Sequence, residues 1–289
     1  MVIPRESAAK KLISVVQLGT IDYATGLCLQ QRLIELRKDG RIGDVLLLLE
    51  HTPVITLGRN AKSQNILASP ELLAQRGIKV FECDRGGDVT FHGPGQLVGY
   101  PIFDLRGFAT SERKRKTLGA IEYVRKLEEV LIRTCVDFGV SANPIPGLTG
   151  VWTAGPCGGG SSTRPDGAEP RPHIGQQTAK IAAIGVHISR AVTSHGFALN
   201  VNTDLSYFNL VVPCGIEAKP VTSIEKELGK QVSLQEVARS ISRNFSVVFD
   251  RQILWLESLD TLLSETIGVP MRPPAELRKI HGDDDTTWA

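Results

Sequence analysis

Residues 85–101 read Arg85-Gly86-Gly87-Asp88-Val89-Thr90-Phe91-His92-Gly93-Pro94-Gly95-Gln96-Leu97-Val98-Gly99-Tyr100-Pro101. Five glycines and two prolines exclude a continuous helix, because glycine loses the most backbone freedom on ordering and proline removes a donor. Residues 88–92 have the β-branched and aromatic content of a short strand instead. The flanking glycines let another backbone or a ligand come close. Arg85, Asp88, Thr90, His92 and Gln96 are polar groups of the kind that orient a ligand. The local pattern leaves two readings open: a rigid, small-residue wall of a binding site, or a glycine-rich hairpin with no ligand.

Upstream, residues 13–17 read as a strand and 23–38 as a helix with Ala24, Cys28, Leu29, Leu33 and Leu36 near one face. That places Cys28 in the core. Residues 44–50 form an apolar run too short for a core helix, hence a strand buried on both faces. Residues 53–57 and 78–83 read as further strands. Between them Ser69, Pro70 and Glu71 supply an N-cap, a first-turn proline and a first-turn acid for a short helix stopping at Gly77.

Downstream, residues 96–105 read as a strand and 110–139 as the longest helix, with Cys135 on its apolar stripe. The run Arg113-Lys114-Arg115-Lys116 falls in that helix's expected first turns, where positive charge opposes the macrodipole; it is a solvated face or a docking patch for an acidic partner. Residues 154–178 contain almost no large apolar side chain and are expected to be a mobile surface loop. Residues 180–190 and 195–201 read as strands, and 205–212 leads into Pro213-Cys214-Gly215-Ile216. Ser233 and Glu236 form a capping box that opens a helix to about Phe249. Residues 251–267 read as one more helix, and 268–289 as a fraying tail. Strands and helices mix without strict βαβ alternation, which predicts an α+β fold with a mixed sheet and one principal core. The expected organisation is one domain over 1–267.

The 289-residue chain is 42% hydrophobic and 22% charged with a formal net charge of +2. No overall basic field argues for nucleic acid, no apolar run is long enough for a membrane-spanning helix, and the N-terminus shows no secretory signal. The five cysteines (Cys28, Cys83, Cys135, Cys157, Cys214) are scattered without C-x-x-C spacing, which fits a reducing, cytoplasmic compartment. No two histidines have metal spacing on a helix, and no phosphate-cradling glycine loop of either common type occurs, so neither a metal nor a nucleotide cofactor is expected.

Two residues stand apart. Cys214 lies between Pro213 and Gly215, off any apolar stripe, where a sulfur can be presented to a substrate; a nucleophilic thiolate needs a nearby cation or helix N-terminus. Lys180 opens an otherwise apolar strand. It is either an edge lysine that blunts aggregation or a cation that favours a thiolate. His92, His187 and His195 each read, taken singly, as hydrogen-bonded structural histidines.

Four blocks together become specific. Residues 85–96, residues 180–185 (Lys-Ile-Ala-Ala-Ile-Gly), residues 193–201 (Thr-Ser-His-Gly-Phe-Ala-Leu-Asn-Val) and residues 213–216 (Pro-Cys-Gly-Ile) resemble, in order, the signature of the octanoyltransferases of lipoate biosynthesis, the lipoate-protein ligase B type. The resemblance implies a biotin/lipoate protein ligase-like catalytic fold, a mixed sheet flanked by helices. It implies transfer of an octanoyl group from acyl carrier protein to a lysine of an apo lipoyl domain, such as those of 2-oxoacid dehydrogenase E2 subunits and the glycine cleavage H protein. It assigns Cys214 as the acyl-thioester nucleophile and Lys180 as the lysine that lowers the nucleophile's pKa. It assigns substrate binding to Arg85, Gly86, Gly87, Asp88, Val89, Thr90, Phe91 and His92, to Ala183, Ile184 and Gly185, and to Gly196, Phe197 and Ala198. A thioester donor is already activated, so this chemistry runs without ATP. The chain departs from the family pattern between Trp152 and Lys180, where the join is usually a short turn.

Overall fold

The computed structural model describes residues 12–108, 117–154, 178–212 and 220–263. In chain order its strands are β1 (Leu12–Ile21), β2 (Asp44–His51), β3 (Val54–Leu57), β4 (Lys79–Glu82), β5 (Val89–His92), β6 (Gln96–Ile102), β7 (Ala142–Ile145), β8 (Leu148–Ala154), β9 (Thr178–Ser189), β10 (Val192–Asn200) and β11 (Gln252–Leu256). The helices are α1 (Tyr23–Lys38), α2 (Pro70–Gln75), α3 (Ala120–Asp137), α4 (Ile224–Leu228), α5 (Leu234–Phe249) and α6 (Leu259–Leu263).

The apolar run in β2 determines the layering. Alternate side chains of a strand point to opposite faces. Leu46 and Leu48 therefore enter one core, with β1, β6, β9, β10, α3 and α5, while Val45, Leu47 and Leu49 enter another, under α1 and α6. Both faces are covered, as the run predicts. The large sheet has the order β11-β1-β2-β6-β10-β9-β8-β7. Its β11, β1 and β2 run parallel and the remaining pairs antiparallel. A second sheet, β4-β3-β5, builds a third core of Ile55, Leu57, Val89, Phe91 and Phe208. This is the α+β fold with a mixed sheet read from the sequence.

Capping chemistry sets several helix starts. Asp22 accepts from Thr25 N–H at α1, Ser69 from Leu72 N–H at α2 and Ser233 from Glu236 N–H at α5. Each satisfies an N-terminal donor that the helix cannot. Two expectations are corrected. The long helix begins at Ala120 behind Gly119, so the described helix excludes the basic run 113–116, which lies outside the described residues. Residues 252–256 are strand, not helix, because Gln-Ile-Leu-Trp-Leu pairs in parallel with the edge of β1 and covers its open hydrogen-bonding groups. Ahead of Cys214 the chain forms a 3-10 turn at Leu205–Leu210, and Val211 bridges to Ile66. Cys135 is fully buried as read, whereas Cys28 is only partly covered. The 155–177 segment and the tail from 264 lie outside the described residues.

Two strands meet closer than side chains allow. A Cβ on Gly196 would lie 2.1 Å from the carbonyl oxygen of Gly99 on β6. Backbone cannot yield there as a flexible side chain would. Gly196→Ala is expected to part β6 from β10 and cost about 3 kcal/mol, the upper range for overpacking; urea unfolding with an unchanged midpoint would contradict this.

Candidate active site

Residues 85–92 form one wall of a cleft that opens to solvent. Its lining includes Arg85, Gly86, Gly87, Asp88, Thr90 and His92 from this stretch. Ala183, Ile184 and Gly185 come from β9, and Gly196, Phe197 and Ala198 from β10. Twelve of the fourteen expected substrate-binding residues therefore share one cleft. Val89 and Phe91 do not line it. The period of two in β5 turns them into the third core, where Phe91 stacks on Tyr207 at 4.6 Å. Tyr23, Val98, Tyr100 and His195 complete the wall. Tyr23 and Tyr100 gave no signal in the sequence, because each lies in an ordinary helix or strand pattern.

The first wall is held by its own arginine. Arg85 Nε donates to Thr56 Oγ1 at 3.2 Å, and Nη2 donates to the Thr56 and Asp88 carbonyls, each at 2.7 Å. Nη1 donates to the Gly86 carbonyl. The guanidinium thus closes the loop over itself through neutral acceptors. Gly86 N–H donates to Val186 O at 3.0 Å, and a Cβ on Gly185 would fall 2.7 Å from Gly86 O. The loop consequently rests directly on β9. Asp84 anchors its entrance: its two oxygens take His195 Nε2 at 2.6 Å and His187 Nδ1 at 2.5 Å. The hydrogen bond from His195 holds the Asp84 carboxyl well below the usual range, against partial burial. His187 and His195 are structural in the sense read from the sequence, and they act as a pair. Among the described residues no group of His, Cys, Asp and Glu is arranged to hold a metal.

Partners fix the ring tautomers. His51 Nδ1 faces the Ile21 carbonyl at 3.0 Å and must carry the proton, so Nε2 accepts from Tyr100 O–H at 2.6 Å. Gln96 Nε2 donates to Asn200 Oδ1, so its Oε1 accepts from His92 Nδ1 at 2.7 Å. His92 Nε2 then takes the Thr56 hydroxyl proton at 3.5 Å. Burial pushes His51 down to about 4, and burial with the neighbouring His51 pushes His92 down to about 3. Both rings are therefore uncharged at neutral pH.

A second, smaller hollow shares Thr90, Ala183 and Ala198 with the first and is also lined by Lys180, Gln96 and Asn200. Lys180 is therefore next to the cleft, on a wall it shares. Its backbone is stitched to the chain that resumes at Pro220: Lys180 N–H donates to Pro220 O and Thr222 N–H to Lys180 O. On the other side Val212 N–H donates to Asn65 O at 2.7 Å. Cys214 belongs to the intervening residues and lies outside the described ones.

A lipoate-ligase-type catalytic domain is the class these features define. The described chain superposes with a TM-score of 0.61 on a bipartite lipoate protein ligase from Thermoplasma acidophilum, at 16% identity, covering 88% of this chain and 91% of that one. A lipoate-protein ligase A solved with ATP matches at 0.61 and 14% identity, covering 87% and 92%. These likenesses concern the fold. Residues 22–246 match the lipoyl protein ligase A/B catalytic domain. An octanoyltransferase of Koribacter versatilis is 57% identical over 94% of this chain and 98% of its own length. One of Acidobacterium capsulatum is 55% identical over 88% and 97%. The chain belongs to the octanoyltransferases of the lipoyl protein ligase A/B family. Its activity is octanoyl transfer in lipoate biosynthesis. No described helix is long and apolar enough to cross a membrane.

Unfolded histidine titrates near 6.5 and binds protons that native His51 and His92 refuse until about pH 4 and 3. The unfolded state is thus favoured as pH falls from about 6.5 toward 4. His51→Gln should lose on the order of 2 kcal/mol less stability than the parent between about pH 7 and 4.5. Equal losses in urea titrations at the two pH values would refute neutral burial of His51.

Proposed function

We propose that octanoyl transfer proceeds through a thioester on Cys214, with octanoyl-acyl carrier protein as donor. The acceptors are apo lipoyl domains of 2-oxoacid dehydrogenase E2 subunits and of the glycine cleavage H protein. The observation that carries the reading is the junction of the two cavities. The expected acyl-binding segments line one, Lys180 lines the next, and Lys180 is bonded to the chain emerging from the Cys214 segment.

In the first step the Cys214 thiolate attacks the thioester carbonyl carbon. The new C–S bond forms, the bond to the carrier's sulfur breaks, and the carrier leaves as a thiol after taking a proton. In the second step the acceptor lysine's amine attacks the acyl-enzyme. The amide C–N bond forms, the bond to Cys214 breaks, and the amine's proton returns to the thiolate side. Lys180 supplies positive charge that favours the thiolate. Glycine-walled segments 85–87, 183–185 and 196–198 admit the chain. At about 0.8 kcal/mol per buried methylene, an octanoyl chain contributes several kcal/mol of binding. The free thiols at Cys28, Cys83 and Cys135 support a reducing, cytoplasmic setting.

The thioester energy suffices for amide formation, whereas an ATP-dependent lipoate ligase of the same fold needs no cysteine. Incubation with octanoyl carrier protein alone, followed by intact-mass analysis, is expected to add one octanoyl group to the parent and none to Cys214→Ser. Lys180→Ala should acylate at least tenfold more slowly at neutral pH, since each pH unit of thiol shift changes the thiolate fraction about tenfold. Labelling of an apo lipoyl domain only when ATP and free octanoate are supplied would establish the ligase instead.

A further inference from the structure

We infer that Trp152 is a positioning residue for Lys180, holding its ammonium against the indole face; this rests on the reading of Cys214 and Lys180 as the reacting pair. Three observations meet here. Trp152 on β8 lies directly across from Lys180 on β9, and Nζ sits 5.0 Å from the ring centroid. That is within the range in which an aromatic face attracts a cation, and tryptophan has the strongest face. Both residues are buried, at 2% and 8% exposure, so water screens the attraction little.

The pairing is built rather than incidental. Between Val151 and Trp152 the register shifts, with partners Ala182 and then Lys180. One extra residue on β9 re-aims the side chains beside it, as bulges near functional sites do. Gly150, two residues before Trp152 and on the same face, has φ +120°. A Cβ there would meet Lys180 Cε at 2.8 Å. The lysine stem therefore runs through a slot with bare glycine on one side and the indole on the other. A lysine side chain has four rotatable bonds, and the slot removes most of that freedom before a substrate arrives. A π face suits the task. It restrains the ammonium without itself adding an anion; the buried Glu128 carboxylate on α3 accepts from Gly150 N–H at 3.1 Å.

The test replaces Trp152 alone with a series of increasingly fluorinated tryptophans, which drain the ring face while nearly keeping its shape. Trp152→Phe and Trp152→Leu accompany the series. The readout is the pH midpoint of Cys214 alkylation, followed by peptide mass, with the pH profile of octanoyl transfer beside it. The midpoint should rise stepwise with fluorination by roughly 0.5 to 1 pH unit, rise further in Trp152→Leu, and be partly restored in Trp152→Phe. Fluorination at Trp255, exposed on β11, should leave it unchanged. In a Lys180→Ala background the series should have no effect. A flat series, with Lys180→Ala alone still moving the midpoint, overturns the role of Trp152 and leaves the reacting pair standing. No movement in Lys180→Ala overturns the pair itself, and this inference with it.

Discussion

Backbone-to-backbone contact at glycine is the constraint on which the site depends. The loop 85–88 packs on β9 through its backbone, with the Arg85 side chain laid over Gly185. Gly86 lies against Gly185 with no room for a Cβ, and Gly87 lies against Gly58 in the same way, 2.4 Å from where a Cβ would stand. Gly185 pairs with Gly196 on β10, and Gly196 abuts Gly99 on β6. A row of side-chain-free positions thus crosses three strands and ends under the loop. Bare backbone consequently lines part of the cleft at Gly86, Gly87, Gly185 and Gly196, while the Phe197 ring covers Gly99. The same row explains why overpacking would reach the sheet and the cleft together.

Such a loop has little apolar surface of its own, so polar contacts must order it. Arg85 does this from within, through carbonyl and hydroxyl acceptors, and Asp84 does it from outside through His187 and His195. Hydrogen bonds from a charged donor are the stronger kind, and a buried arginine that lost them would pay heavily. The loop is consequently rigid for the same reason it is expensive to disturb. Asp88 is likewise engaged, accepting from Asn65 Nδ2 and Val89 N–H, and is not a free carboxylate waiting for substrate.

How much of this the sequence made legible follows from range of interaction. Local rules worked where local chemistry decides: α1 spans the residues expected, Ser69 and Ser233 cap as read, and β2 is buried on both faces. They failed where a distant partner decides. Residues 252–256 have helix-compatible spacing, yet the open edge of β1 captures them as a strand. In the site, the local pattern of 85–92 left a binding wall and a ligand-free hairpin both open, and alternation within four residues sends Val89 and Phe91 into the third core. Tyr23, Tyr100 and Trp152 were silent because an aromatic in an apolar pattern reads as core. Only the fold brings Tyr100 onto His51 and the Trp152 ring beneath Lys180.

The charge pattern around the two cavities bears on the proposed thioester reading. An ATP-using ligase must bind and neutralise a polyphosphate; a thioester exchange needs an apolar slot and one local positive field. Here the buried histidines are kept neutral, by burial and by partners that fix their tautomers. The Arg85 guanidinium is spent on the loop's own carbonyls. Lys180 enters from β9 at the shared wall, steadied by a ring that carries no counter-charge. Under the proposed function the two tasks are separate: the glycine-walled cleft, whose Arg85 is engaged by the loop's own carbonyls, takes the chain, and Lys180 at the adjoining cavity favours the thiolate.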